Sequence, residues 1–347
     1  MMKRSLFSTF SFVLALGATA AGCAAQAPGE DDDPGEGSGS GSGSAEQPPL
    51  TAEGKYALVS DFDIATNMPG TAGEVVNMFI AATDDADDPA HWILDQLVAK
   101  LPDGTFKNIV KGAIPFVSGY LNDRLLQVAP DFVVTIRDMG NKFGQAARHF
   151  GTLETLDVPA NGMATHTMNG VQFTVDQIEL QYMFKDYQMQ DVAVPNVGVQ
   201  VDKLGKLTVA DHKLPLSYGK VMRIAMDEVI IPLVDPSATN LEDILTGLVN
   251  CHAVGQYVYE AVGIGAPSTF EAACTAGLHG GSQVIYAQIG KIDSSALEFN
   301  VNGVAKGIDK NHDGKMDSIQ VGAWAGTLSY GGNGAPLAHG QFTGQRL

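Results

Sequence analysis

The sequence predicts an α+β fold: an N-terminal helical block packed on an antiparallel β-sheet, a disulfide-clamped helical pair, and a C-terminal β-hairpin. Three observations predict it. Apolar residues recur at helical spacing between residues 71 and 150, and the period changes to two from Gly151 to about Val234. Helical spacing then returns at Thr239 and gives way to two last alternating runs, 297–307 and 319–328. Residues 51–347 form one domain on this reading, because the strand at 55–65 and the final hairpin both need a sheet partner.

Each element has a local cause. In residues 55–65, Tyr56, Leu58, Phe62 and Ile64 alternate with Asp61 and Asp63. Thr71-x-x-Glu74 is a capping box, and Asp88-Pro89 places proline at the first position of a helix. Phe106, Ile109, Val110, Ile114, Val117, Leu121 and Leu125 share a helical face, which Pro115 should kink by removing a backbone donor. Residues 131–150 continue as a helix, with Phe132, Ile136, Met139 and Phe143 on one side. Asn161-Gly162 and Asn169-Gly170 are hairpin signals inside a meander that carries Val171, Phe173 and Val175, then Ile178, Leu180, Tyr182 and Phe184. Residues 206–234 read as further strand. Thr239-x-x-Glu242 and Ser268-x-x-Glu271 start the later helices, the second carrying Cys274.

Bulk composition narrows function. A 45% hydrophobic and 17% charged chain is globular rather than disordered. The formal charge of −18 excludes a nucleic-acid binder, because phosphate recognition needs clustered Lys and Arg. It also weighs against direct adhesion to anionic headgroups. After Cys23 no uninterrupted apolar run reaches the ~18–20 residues of a helical span, so membrane attachment would have to come through lipid. The longest candidate, residues 229–234, is strand-sized.

Residues 1–22 read as a signal peptide: Lys3 and Arg4, an apolar stretch from Leu6 to Leu16, then Ala20-Ala21-Gly22-Cys23. The last four residues resemble the bacterial lipobox, which implies cleavage before Cys23 and acylation of that cysteine. Ala20 stands where that motif usually has Leu, and ordinary cleavage at an A-x-A site is the alternative, giving a periplasmic or secreted soluble protein. Residues 23–50 form a flexible tether of acidic residues (Glu30 to Asp33), alternating Gly and Ser, and Pro48-Pro49. Ala24 follows the cysteine where Asp would signal inner-membrane retention, so the resemblance implies an outer-membrane or cell-surface location.

With Cys23 committed to lipid, Cys251 and Cys274 remain as a pair in an oxidising compartment. No CxxC or Cys/His cluster accompanies them, which favours a disulfide stabilising the fold by about 3 kcal/mol. Between the last two strands, Asp309, Asn311, Asp313 and Asp317 put oxygens at loop positions 1, 3, 5 and 9, with Gly314 at 6 and the Lys315 carbonyl at 7. This segment resembles the DxDxDG calcium loops of EF-hands and of many exported modules, which implies a calcium cofactor. It departs from the EF-hand at position 12, where Gln320 replaces the bidentate Glu, and its flanks read as strands. Both departures favour a structural ion. A polar Asp-Gly turn without metal is the alternative, although it leaves the other three oxygens unexplained.

Other signals carry less. Ser217-Tyr218-Gly219-Lys220 fits S-x-x-K, but the companion elements of penicillin-binding enzymes are absent. His279-Gly280-Gly281 reads as a glycine-rich helix stop, Trp92 and Trp324 as packing residues, and the eight histidines as dispersed. No catalytic residue stands out. The expected function is a non-enzymatic, lipid-anchored envelope protein that binds an apolar small ligand or an envelope protein. An exported hydrolase with a dispersed active site is the alternative.

Overall fold

In a computed structural model, residues 49–70, 72–74, 108, 111, 131–293 and 295–347 are described. The signal, Cys23, nearly all of the tether, the Asp88-Pro89 helix start, Trp92 and the apolar face around Pro115 lie outside them.

The strands are β1 (Gly54–Phe62), β2 (Phe150–Val158), β3 (Met163–Val175), β4 (Ile178–Met183), β5 (Val192–Val201), β6 (Lys206–Leu216), β7 (Leu297–Ile308), β8 (Ser318–Tyr330), β9 (Asn333–Pro336) and β10 (Gly340–Arg346). All pairings between them are antiparallel. The order runs β10-β1-β2-β3-β5-β6-β7-β8, and β10 also pairs with β8, so eight strands close into a barrel. β4 and β9 are appended to β3 and β8.

Closure overturns the expected α+β architecture of a helical block on an open sheet. The element that closes the ring is β10, which pairs Tyr56 to Phe62 on one side and Ser318 to Ala323 on the other. It reads GQFTGQR, with little β-branched or alternating apolar content to announce a strand. Its glycine is a packing device: a Cβ at Gly344 would stand 2.5 Å from the Leu58 side chain.

Alternation follows from the pleat. In β1 the inward residues Tyr56, Leu58, Ser60 and Phe62 are buried. In β2 the inward set is Phe150, Thr152, Glu154, Leu156 and Val158. Outward positions such as Lys55, Asp157, Lys213, Lys306 and Gln345 are exposed and polar. At this strand number the interior is filled by side chains.

Helices cover one end. They are α1 (Asp131–Arg148), α2 (Tyr218–Ile224), α3 (Ile231–Val234), α4 (Leu241–Leu248), α5 (Cys251–Val262) and α6 (Pro267–Ile292). A π-helical turn, Ala225–Ile230, joins α2 to α3. The stretch 218–234 was expected as strand. It is helical because Tyr218, Val221, Met222, Ala225, Met226, Val229 and Ile230 follow helical spacing and all are buried. Asn240 caps α4 through the Asp243 amide, so that box sits one residue later than Thr239-x-x-Glu242. Helix α6 starts at Pro267, one residue before Ser268, and runs through His279-Gly280-Gly281 without stopping there. No described helix is long and apolar enough to cross a membrane.

Candidate functional site

Among the inward residues, six break the apolar rule and meet halfway along the barrel. Ser60 comes from β1, Thr152 and Glu154 from β2, His166 from β3, His212 from β6 and Trp324 from β8. The register shift between Val209 and His212 returns His212 to the inward side in line with Leu214 and Leu216.

Glu154 Oε2 accepts from the Ser60 hydroxyl at 2.9 Å and faces His166 Nε2 at 2.9 Å; Oε1 accepts from Thr152 at 2.5 Å. His166 Nδ1 faces His212 Nε2 at 2.7 Å, and His212 Nδ1 faces the Ala210 carbonyl at 2.8 Å. Trp324 donates its indole N–H to Ser60 at 2.9 Å and stacks on His166, with ring centroids 5.8 Å apart. Phe342 closes over the other indole face at 4.2 Å.

These partners assign the hydrogens. The Ala210 carbonyl requires N–H at His212 Nδ1, and the Glu154 carboxylate requires N–H at His166 Nε2. The two remaining nitrogens face each other and share a third hydrogen. Two neutral imidazoles hold two N–H groups, so this pair holds one imidazolium charge opposite one carboxylate. Burial opposes ionisation of Glu154, but the His166 charge and the bonds from His166, Thr152 and Ser60 outweigh it and hold the carboxyl below the usual carboxylate range. His212 is pushed below its ordinary value by burial and then by repulsion from His166, against weaker opposing effects of Ala210, Glu154 and Asp211.

Chemically this is a proton-sharing carboxylate–imidazole–imidazole line. The side chains of Glu154 and His166 have no solvent exposure, and every oxygen and ring nitrogen in the line has a protein partner. No substrate atom reaches it as it stands. Sequence reasoning missed this group because residues 154, 166 and 212 are far apart in sequence. Trp324 was expected only to pack, and it also donates a hydrogen bond.

A second feature lies where helices meet the barrel mouth. An apolar cavity of 10 Å³ is bounded by Ile64, Phe143, Phe150, Phe173, Tyr218 and Met222, with Ala146, Ala147, Val221 and Ala225 completing the wall. That volume is about enough for one water.

The segment expected to hold a metal is a tight turn closed by its own backbone amides. Asp309 accepts from the amides of Asp313 (3.3 Å) and Gly314 (2.9 Å), and Asn311 accepts from Asp313 N at 3.1 Å. Asp313 accepts from Lys315 N at 2.8 Å, and Asp317 reaches back to Lys310 N at 2.8 Å. Gly314 takes φ of 81°, which a turn this tight requires. These bonds turn the side-chain oxygens of Asp309, Asn311, Asp313 and Asp317 onto the loop's own amides, as in a polar Asp-Gly turn. Gln320 does not join them: it is exposed in β8 opposite Lys306, with its amide 3.4 Å from the Ser318 hydroxyl. No group of three or more His, Cys, Asp or Glu able to hold a metal occurs among the described residues.

Cys251 and Cys274 stand at disulfide distance, 2.07 Å between sulfurs and 5.5 Å between Cα atoms, and link α5 to α6. Ser217 and Lys220 of the S-x-x-K match follow directly on the end of β6 and start α2, where Lys220 is exposed. His279 bonds to Glu242 at 2.7 Å on the helix surface. The chain matches no family model, no curated protein and no solved structure.

Proposed function

We propose that this protein is exported, held by lipid on Cys23 at the bacterial outer membrane or cell surface, and binds an apolar small ligand at the helix-covered mouth of its barrel. The mainly apolar cavity between α1, α2 and the barrel end carries the ligand reading. An acyl chain needs far more than one water's volume, so entry requires α1 to lift from Phe150 and Phe173. Calcium at Asp309, Asn311, Asp313, the Lys315 carbonyl and Asp317 stiffens the opposite end of the barrel.

Native mass spectrometry of the purified soluble part, with displacement of a fluorescent fatty acid, tests the ligand. Bound lipid is expected, together with at least tenfold weaker binding after Ala146→Leu, measured at a temperature where that variant is still folded. Absence of any lipid or fatty-acid binding would overturn the reading. For the ion, chelator is expected to lower the melting temperature of the wild type and leave Asp313→Ala unmoved; an equal response of both would remove calcium from the account.

The hydrolase reading draws on the convergence of Glu154, His166 and His212, but their burial denies a substrate access. Ester hydrolysis that is lost on His166→Asn in a folded protein would restore it.

A further inference from the structure

The barrel wall is not uniformly bonded. Among the described residues, β5 and β6 pair only through Val199–Val209, Gln200–Thr208 and Val201–Leu207, next to the turn 202–205. Beyond Val209, β6 continues to Leu216 on β7 alone, and β5 reaches back to Val192 on β3 alone. Both strands bulge where their mutual ladder ends. β5 gains a residue between Val194 and Val197, with Asn196 at φ of 61°, and β6 gains one between Val209 and His212. Each strand also lacks a donor, at Pro195 and at Pro215. Val192 and Val194 on the inward side are only half-buried, whereas Val197 and Val199 at the bonded end are buried. His212, at 9%, is the most exposed of the polar residues in the line behind this seam.

The imidazole pair bridges the seam from inside. His166 stands opposite Val194 in the β3–β5 ladder, and His212 is the first residue of β6 to pair with β7 again beyond the bulge. Their 2.7 Å bond therefore ties β3 to β6 behind β5, at the level where β5 and β6 stop bonding. His212 also turns Nδ1 onto the Ala210 carbonyl in the bulge itself. The titratable groups that act on His212 are His166 from β3, Glu154 from β2 and Asp211 beside it, which accepts from Asn302 of β7 at 2.8 Å. β5 brings none between Val192 and Val201, and β8 brings Trp324, edge-on with ring centroids 5.9 Å apart. Lys213, the next residue, pairs outside the barrel with Glu298 at 3.4 Å.

We propose that the His166–His212 pair is an acid-released tie: a fourth hydrogen on it drives the His212 ring out through the seam and parts β5 from β6. Three hydrogens fit the pair, one towards Ala210, one towards Glu154 and one between the rings. A fourth sets two N–H groups head to head at 2.7 Å, with no acceptor between them and two imidazoliums against one carboxylate. His166 is wholly buried and held by Glu154 and the Trp324 stack. His212 has the Ala210 carbonyl alone once that bond is lost, and the unbonded seam lies beside it, so it is the ring that yields. A histidine charge of this kind acts as a switch when the element around it has two arrangements, and a wall without ladder bonds supplies the second one. The tie works in the same way whatever the barrel mouth binds.

Hydrogen exchange on the full chain, corrected for the intrinsic pH dependence of amide exchange, tests the tie. Between pH 7.5 and 5.0 the amides of 192–194 and 212–214 are expected to lose at least tenfold more protection than those of β1 and β10. His212→Gln, which can still donate to Ala210 but takes up no proton, should abolish that excess. His149→Gln, on the surface beside Asp61, should leave it. Equal loss in the seam and in β1, or an excess that survives His212→Gln, overturns the proposal. Should that variant not fold, NMR of the wild type with labelled histidine gives the same decision. A second imidazolium must form on the pair over the pH range in which the seam opens, and opening without it is an overturning result.

Discussion

Inside one barrel, two adjacent layers are stabilised on opposite principles. Towards the helices, Phe62, Phe150, Phe173 and Phe299 pack ring to ring, with centroids 4.9 Å apart for Phe62–Phe299 and 6.3 Å for Phe150–Phe299. Further from the helices, on β1, β2, β3 and β6, stand Ser60, Thr152, Glu154, His166 and His212. The aromatic layer needs only volume and gains with each Å² removed from water. The polar layer needs every partner at once, because an unpaired charge inside a barrel costs far more than a lost contact. A layer of the first kind yields gradually, and a layer of the second kind fails as a unit.

The largest expected effect breaks the polar layer by removing one partner. Glu154→Ala leaves Ser60, Thr152 and the histidine pair without their shared carboxylate in a closed interior and should cost about 4 kcal/mol in urea denaturation. Replacing the set together, Glu154→Leu with His166→Leu and His212→Phe, should recover most of that loss, since an apolar layer of similar volume needs no charge balance. A single variant as mild as the triple one would show that the line holds no buried charge. In the aromatic layer, Phe299→Ala should cost about 3 kcal/mol. That cost should not change with pH, and a pH-dependent cost would couple the two layers and blur the distinction between them.

The same contrast explains what could be read in advance. Strands β1, β2, β3, β7 and β8 alternate clearly, because one face is apolar and the other polar. β10 does not, since Phe342 is its only large apolar residue and its glycines serve close approach to β1 and β8. Barrel closure was hidden with it. Residues 218–234 were misassigned because Val229-Ile230-Ile231 reads as a buried strand when its helical spacing to Tyr218 and Met222 is ignored. The polar line did leave a signal: Ser60 between Leu58 and Phe62, Glu154 between Thr152 and Leu156, and His166 between Ala164 and Met168 each put a polar residue on an inward position. That these exceptions meet depends on strand order, which no single strand reveals. The Asp309 turn was legible because its residues are local, whereas Gln320, expected at loop position 12, lies in β8, which begins at Ser318.

A smaller effect separates the layers by pH. The folded-state pKa of His212 lies below its ordinary 6.5, and that of Glu154 lies below its ordinary 4.5. As pH falls below 6.5 the unfolded chain takes up a proton at His212 that the folded barrel refuses, and below 4.5 it does so again at Glu154. The contributions of these two groups are then full above pH 6.5 for His212 and above 4.5 for Glu154, and each declines below its value by up to about 1.4 kcal/mol per pH unit. Urea midpoints measured from pH 7.5 to 4 should fall for the wild type and for Phe299→Ala in parallel. His212→Gln should flatten the part of the curve between 6.5 and 4.5. An unchanged curve in that variant would assign the decline to groups outside the barrel.

The smallest change probes whether the polar layer tolerates any gap. Ser60→Ala takes one donor from Glu154 and the acceptor from the Trp324 N–H, while His166 and Thr152 still hold the carboxylate. The charge pair survives, so only two neutral-donor bonds are lost and the cost should be about 1–2 kcal/mol. The indole loses its partner in a closed interior, so Trp324 should also gain rotational freedom, visible as faster hydrogen exchange at its ring N–H. Full-sized destabilisation, comparable to Glu154→Ala, would mean that Ser60 is needed to keep Glu154 ionised and that the layer has no redundant member. Loss near 1 kcal/mol with His166 still bonded would place the indispensable unit in Glu154, His166 and His212, with the hydroxyls as its support.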